Sequence, residues 1–245
     1  MINLNELYIR SFLREFIQLA DIDEKSTILD LGCGSQPYKD LLPNMHGFVV
    51  RADIERRCNE LDCYVDAHNA SFATHSFDVI LFCEVLEHLS DPGAAMAEIS
   101  RILKPGGYLV ITWPFLYNIH EIPSDFYRFT EFGVNELLRQ NRLHVSRLQR
   151  RGDVFAVLHT IICQLILGGA EYLKRIHWFG YFGRPFCWLI KACIEMSLKA
   201  NYHLFRKVKR LNPAAVGGYL RGPVGTLSLW TLGYCVIAKK AQSTG

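Results

Sequence analysis

The run Ile28-Leu29-Asp30-Leu31-Gly32-Cys33-Gly34 reads as an apolar strand that ends in an acid and a Gly-x-Gly turn. A second apolar run, Phe48-Val49-Val50-Arg51-Ala52-Asp53, closes on another acid. Strand, glycine turn, helix, strand and acid is the order in which a doubly wound α/β fold builds a nucleoside pocket at the carboxyl ends of its strands. Glycine lets backbone approach a ligand where a Cβ would stand in the way. An ionised carboxylate only accepts hydrogen bonds, so Asp53 at a strand end can take both hydroxyls of a ribose. The pattern points to an adenosine-containing ligand.

The glycine spacing argues against a dinucleotide. That fingerprint places a third glycine or an alanine three residues after the second, where helix and strand pack closely. Here the position holds Pro37, which lacks the N–H that a pyrophosphate at a helix start would use. A methionine-linked nucleoside carries no phosphate and makes no such demand.

Further motifs follow in order. Asp66-Ala67-His68 can end a third strand, and Ser76 to Cys83 reads as a buried fourth strand leading into Glu84-Val85-Leu86-Glu87-His88-Leu89. A helix is expected from about Pro92 to Leu103, with Ala95, Met96, Ile99 and Leu103 at helical spacing. Lys104-Pro105-Gly106-Gly107 should stop it before a fifth strand from Tyr108 to Trp113. These motifs, in this order and spacing, resemble the class I S-adenosylmethionine-dependent methyltransferases, type 11, the subgroup that includes the ubiquinone and menaquinone biosynthesis methyltransferases. The resemblance covers residues 25 to 115. It implies an α/β, Rossmann-like fold: a seven-stranded, mostly parallel sheet with helices on both faces and a last antiparallel strand.

It also implies roles. Asp30, Gly32, Cys33 and Gly34 would cradle the methionine part of S-adenosyl-L-methionine, and Asp53 would take the ribose hydroxyls. Ile54 would lie against the adenine with Asp66 and Ala67 at its edge, while Cys83 and Glu84 would line the mouth of the fourth strand. His88 belongs to the same resemblance and is read as bracing the fourth-strand helix. No metal ligand is expected, because the eight cysteines are scattered and none has zinc-like spacing with histidines. Unpaired thiols suit a cytoplasmic setting.

The chain of 245 residues, half of them apolar, fits one methyltransferase domain over 1–245 carrying an insertion. Met1 to Ala20 lacks the uninterrupted apolar block of a signal peptide and reads as an amphipathic helix with Leu4, Leu7, Ile9, Phe12, Leu13, Phe16 and Ile17 on its packing face. Thr130 to Asn141 is expected as a capped helix, His144 to Arg151 as the sixth strand, and Leu227 to Lys239 as the closing one. Between them, residues 154–221 form an apolar, basic helical insertion with ten Lys and Arg against two Glu, a net charge of +8 in a chain of net +3. Val154 to Ala170 carries no charge but is shorter than the roughly 20 residues needed to cross a bilayer. Phe186 to Phe205 reads as an amphipathic helix followed by Arg206-Lys207-Val208-Lys209-Arg210. Three readings stay open for this insertion: an interfacial element on an anionic membrane surface, a subdomain or homodimer face, and a hairpin through the membrane. Nucleic acid fits poorly, since no recognition module accompanies the charge.

Candidate catalytic groups cluster after the fifth strand. The segment from Trp113 to Thr130 leaves the carboxyl edge of the sheet, where ligands sit in such folds, and holds His120, Glu121, Asp125, Tyr127 and Arg128. His120 and Glu121 are the candidates for taking a proton from an acceptor; hydrogen bonding between loop and helix is the other reading for both. The stretch His120-Glu121-Ile122-Pro123-Ser124-Asp125-Phe126-Tyr127-Arg128-Phe129-Thr130 resembles methyltransferases that accompany glycan and cell-surface polysaccharide assembly. The expectation is O-methylation of a small-molecule or lipid-linked acceptor on the cytoplasmic side, peripheral to the inner face of the membrane. A non-catalytic binding module that docks a membrane or partner through the insertion is the alternative, and a nicotinamide-dependent oxidoreductase comes third.

Overall fold

The computed structural model describes residues 4–20, 22–42, 48–175 and 231–242, together with scattered positions between 192 and 207. The expected helix over Phe186 to Phe205 and residues 227–230 of the closing strand therefore lie outside the described residues, wholly or in large part.

Seven strands form one sheet: β1 (Thr27–Leu31), β2 (Phe48–Asp53), β3 (Cys63–Tyr64), β4 (Phe77–Cys83), β5 (Leu103–Pro114), β6 (Leu143–Arg151) and β7 (Gly233–Lys240). Their spatial order is β3-β2-β1-β4-β5-β7-β6. The β1–β2, β1–β4, β2–β3 and β4–β5 pairs are parallel, and β7 runs antiparallel to β5. The doubly wound fold expected from the sequence is the one observed.

Alternation along the strands divides the core in two. Leu29, Ile80, Phe82, Leu109, Ile111 and Val236 pack with Ala95, Met96 and Ile99 of α2 (Pro92–Ile102) and with Val134 and Leu138 of α3 (Glu131–Gln140). Ile28, Val79, Leu81, Val110, Cys235 and Ile237 point the other way, onto Ile9, Phe12, Leu13 and Phe16 of α1 (Leu4–Leu19). Successive side chains of a strand leave opposite faces, so helices cover both sides. The chain divides into two compact units, Ile9–Gln149 with Gly233–Gly245 and Met1–Tyr8 with Arg150–Leu232. The second unit contains α4 (Val154–Arg175), in which Ala156, Val157 and Cys163 are buried.

Four details differ from the sequence reading. Residues 35–42 form turns, not an α-helix: Gln36 has φ +58°, and Pro37 interrupts the amide series that a helix start would supply. β3 ends at Tyr64, two residues before Asp66. Leu86–His88 makes a single 3-10 turn in a segment to which the sequence reading gave no element. Lys104 to Gly107 ends α2 as expected, but these residues belong to β5, bulging between the Phe77–Leu103 and Val79–Tyr108 pairs with Gly106 at φ +77°.

Candidate active site

β1 and β4 lie side by side while the chain proceeds from them toward opposite edges, so their carboxyl ends flank the crevice where open α/β sheets bind ligands. A cavity of about 510 Å³ occupies this place. All ten residues expected to hold the cofactor line it: Asp30, Gly32, Cys33, Gly34, Asp53, Ile54, Asp66, Ala67, Cys83 and Glu84.

The glycine turn is fixed by β2, because the N–H groups of Gly32 and Cys33 both donate to the Ala52 carbonyl at 2.8 and 3.1 Å. Gly32 sits at φ +74°, and a Cβ on it would come within 2.4 Å of Val85 Cγ2. Gly34, at φ +53°, would have nothing within 4 Å of its Cβ, so backbone there faces open space. Asp53 ties the turn to β2: Oδ2 accepts from the Gly34 N–H at 2.8 Å and Oδ1 from the Glu55 N–H at 3.1 Å. Each oxygen keeps acceptor capacity for a second donor.

Asp30 is buried in the cavity wall. Burial pushes its carboxyl up to about 7, with Asp53 adding to the rise and Arg51 opposing it. A cationic group beside this carboxyl would offset the rise. Cys33 is held neutral by burial, its thiol pushed up to about 12, so it offers packing and not a nucleophile. Ile54 is 64% exposed, an apolar surface at the cavity wall. Asp66 is engaged by the backbone and ring of His68 at 2.9 and 2.7 Å, which hold its carboxyl below the usual range. Glu84, in the left-handed region at φ +56°, is held at the end of β4 by its N–H to the Thr112 carbonyl and by the Thr112 hydroxyl, which donates to Oε1 at 2.9 Å. A non-glycine residue in that conformation is a mark of a constrained site.

Of the two catalytic candidates, Glu121 lines the cavity and His120 stands behind His88, ring centroids 4.8 Å apart. Glu121 accepts two 2.8 Å bonds from Arg57, which keep its carboxyl below the usual range. His120 Nε2 lies 3.7 Å from Glu87 Oε1, and its Nδ1 3.2 Å from Asp125 Oδ2. The Glu87 carboxylate raises the His120 pKa, while burial raises that of Glu87. Arg128 holds Asp125 in a two-pronged pair at 2.5 and 2.7 Å. Sequence reasoning did not assign Arg57, His68, Glu87 or His88 to the site. His68, Glu87 and His88 fall in motif segments that gave them no ligand role, Arg57 falls in none, and the loop after β5 brings His120 to His88 across the fold.

Residues 4–153 match a family model described as a methyltransferase domain. A ubiquinone biosynthesis O-methyltransferase of Hydrogenovibrio crunogenus is 30% identical over 109 residues, 39% of this chain and 45% of that protein. A malonyl-[acyl-carrier protein] O-methyltransferase of Alcanivorax borkumensis is 31% identical over 139 residues, 51% of this chain and 44% of that protein. A phosphoethanolamine N-methyltransferase of Triticum aestivum is 28% identical over 113 residues, 40% of this chain and 23% of that protein. The chain thus spans less than half the length of these curated relatives. Among solved structures, the [4+2]-cyclase SpnF superposes with a TM-score of 0.56 at 16% identity, covering 96% of this chain and 82% of that one. A Galdieria sulphuraria protein, provisionally described as a sarcosine dimethylglycine methyltransferase, gives 0.58 at 14% identity over 96% and 86%. At these identities the structural likeness is one of fold.

Proposed function

This chain belongs to the methyltransferase-domain family, and on that premise we propose that it transfers a methyl group from S-adenosylmethionine to an oxygen of a small or lipid-linked, glycan-type acceptor. The observation that carries the reading is the convergence of ten separately expected residues on one cavity at the carboxyl ends of β1, β2 and β4.

Asp53 would receive the ribose hydroxyls, Ile54 would cover one face of the adenine, and the open backbone at Gly34 would admit the methionine part beside Asp30. The cofactor supplies a methyl group on a cationic sulfur, and the acceptor oxygen forms the new C–O bond as the S–C bond breaks and sulfur keeps its electron pair. Holding donor and acceptor in line provides much of the acceleration in such a displacement. Glu121, ionised and paired with Arg57, serves to position that loop over the cavity. The acceptor's proton is handled at the Glu87, His88 and His120 cluster. Two relatives are O-methyltransferases and one acts on nitrogen, so the choice of oxygen rests on this cluster, which an amine acceptor would need less.

The insertion completes the proposal. No helix among the described residues is long and apolar enough to cross a membrane. α4 nevertheless exposes Phe155, Leu158, Ile162 and Leu165 along one side, and the sequence around it is strongly basic. This combination suits the inner, anionic surface of a cytoplasmic membrane and a lipid-linked acceptor presented there.

Calorimetric titration with S-adenosylmethionine, S-adenosylhomocysteine and NAD tests the central claim. Binding of the first two with Kd on the order of micromolar, lost in Asp53→Ala, is expected. NAD binding alone would overturn it.

A further inference from the structure

We propose that Glu87, His88 and His120 form a divalent-cation site that takes the acceptor's hydroxyl oxygen as a further ligand. The inference rests on the methyl-transfer reading for its role, though not for its existence.

Glu87 is 0% exposed, and neither of its carboxylate oxygens has a hydrogen-bond partner among the described residues. A fully buried carboxylate is costly unless its charge is met. The groups facing Oε1 are two imidazole nitrogens, His88 Nε2 at 3.5 Å and His120 Nε2 at 3.7 Å, and one ligand atom from each of the three residues falls within 4.8 Å of the others.

The far side of each ring shows which nitrogen is free. His88 Nδ1 lies 2.6 Å from the Ser124 carbonyl, which can only accept, so Nδ1 carries the proton. His120 Nδ1 faces the Asn118 carbonyl and the Asp125 carboxylate, both at 3.2 Å and both acceptors. Each ring thereby turns its Nε2 to the same carboxylate oxygen. Imidazoles oriented by a carbonyl or carboxylate behind them are the arrangement found around metal-ligating histidines. Donor atoms that each sit about 2.0–2.2 Å from one ion lie some 3–3.5 Å apart, close to the two spacings from Glu87 Oε1. Two histidines and one carboxylate on one side of an ion leave the other positions open.

His88 lines the cavity, so an ion at this cluster borders the space where an acceptor must approach the methyl donor. A hydroxyl bound to the ion loses its proton to water more readily, because the cation stabilises the oxyanion left behind. The O–H bond breaks, its electron pair stays on oxygen, and that oxygen forms the C–O bond; no redox change occurs.

The test uses the full chain after chelator treatment, titrated with Zn²⁺ by calorimetry and with Co²⁺ by visible absorption. One ion per chain is expected, with Co²⁺ bands lacking thiolate charge transfer, and affinity reduced at least about 100-fold in Glu87→Gln and His120→Ala. S-adenosylhomocysteine binding and thermal unfolding of the same variants report whether they remain folded. Absence of stoichiometric binding to the wild-type protein would overturn the site, as would undiminished binding by both variants or thiolate bands that place the ion on cysteine. Cofactor binding without ion binding overturns this site alone, whereas ion binding without cofactor binding overturns the methyl-transfer reading and leaves the site standing.

Discussion

Asp30 and Gly32, two residues apart in one turn, constrain the cavity through different physics. The Asp30 carboxyl is raised from 3.8 to about 7 by burial first and by Asp53 second, against the pull of Arg51. Folding therefore favours its protonated form. In the ligand-free protein its stabilising contribution is complete below pH 4 and is lost as pH rises through about 7. A cationic ligand reverses the preference, because it favours the carboxylate. S-adenosylmethionine should consequently bind more tightly as pH rises from 6 to 8, with proton release seen as a buffer-dependent binding enthalpy. Asp30→Asn should flatten that dependence; an unchanged pH profile in the variant would remove Asp30 from the account. Gly32 is a steric constraint instead. Its positive φ and the 2.4 Å approach of a Cβ to Val85 predict that Gly32→Ala costs at least about 2 kcal/mol. Adding Val85→Ala should recover the packing part and not the backbone part, which thermal unfolding of the two variants would separate.

At the scale of elements, the edge of the sheet away from the cavity is held by Asp78. Its Oδ2 accepts from the Thr27 N–H at 2.8 Å, the Thr27 hydroxyl at 2.9 Å and Lys104 Nζ at 2.7 Å, linking β1, β4 and the bulge in β5. Burial would raise this carboxyl, yet those donors outweigh it and keep it below the usual range. Asp78→Ala should lower unfolding stability by about 1–3 kcal/mol while leaving S-adenosylhomocysteine affinity within about twofold, since the residue lies at the amino ends of the strands and the cofactor at their carboxyl ends. A large loss of affinity with unchanged stability would contradict that separation. The bulge also shows where sequence reading stops. Pro105 and the glycines announce the end of α2, and Leu103 indeed takes an extended conformation there. That the same residues then join β5 depends on Lys104 finding Asp78, a pairing no local signal encodes. Strands and glycine turn were legible because period-two apolarity and positive-φ demands are local. The Glu87, His88 and His120 cluster was not, because 32 residues separate its histidines and only the folded loop after β5 brings them together.

The distribution of charge over the whole molecule sets the last expectation. Residues 154–221 carry +8 while the full chain carries +3, so the remainder is negative and attraction to an anionic surface must come from the insertion. α4 adds the second ingredient, with Phe155 63% and Leu165 70% exposed on a helix whose Ala156, Val157 and Cys163 are buried. Electrostatic attraction alone is screened within about 10 Å at 0.1 M salt, whereas inserted apolar side chains are indifferent to salt. The full chain should therefore float with vesicles rich in phosphatidylserine or phosphatidylglycerol and not with phosphatidylcholine alone. Raising salt should weaken this flotation without abolishing it, and Phe155→Asp with Leu165→Asp should remove the salt-resistant part. A face that instead joins two copies of the chain would give concentration-dependent sedimentation, disrupted by the same two substitutions, with no flotation at any salt. Because both outcomes depend on the same residues, vesicle flotation and sedimentation measured side by side on one double variant decide which surface α4 meets.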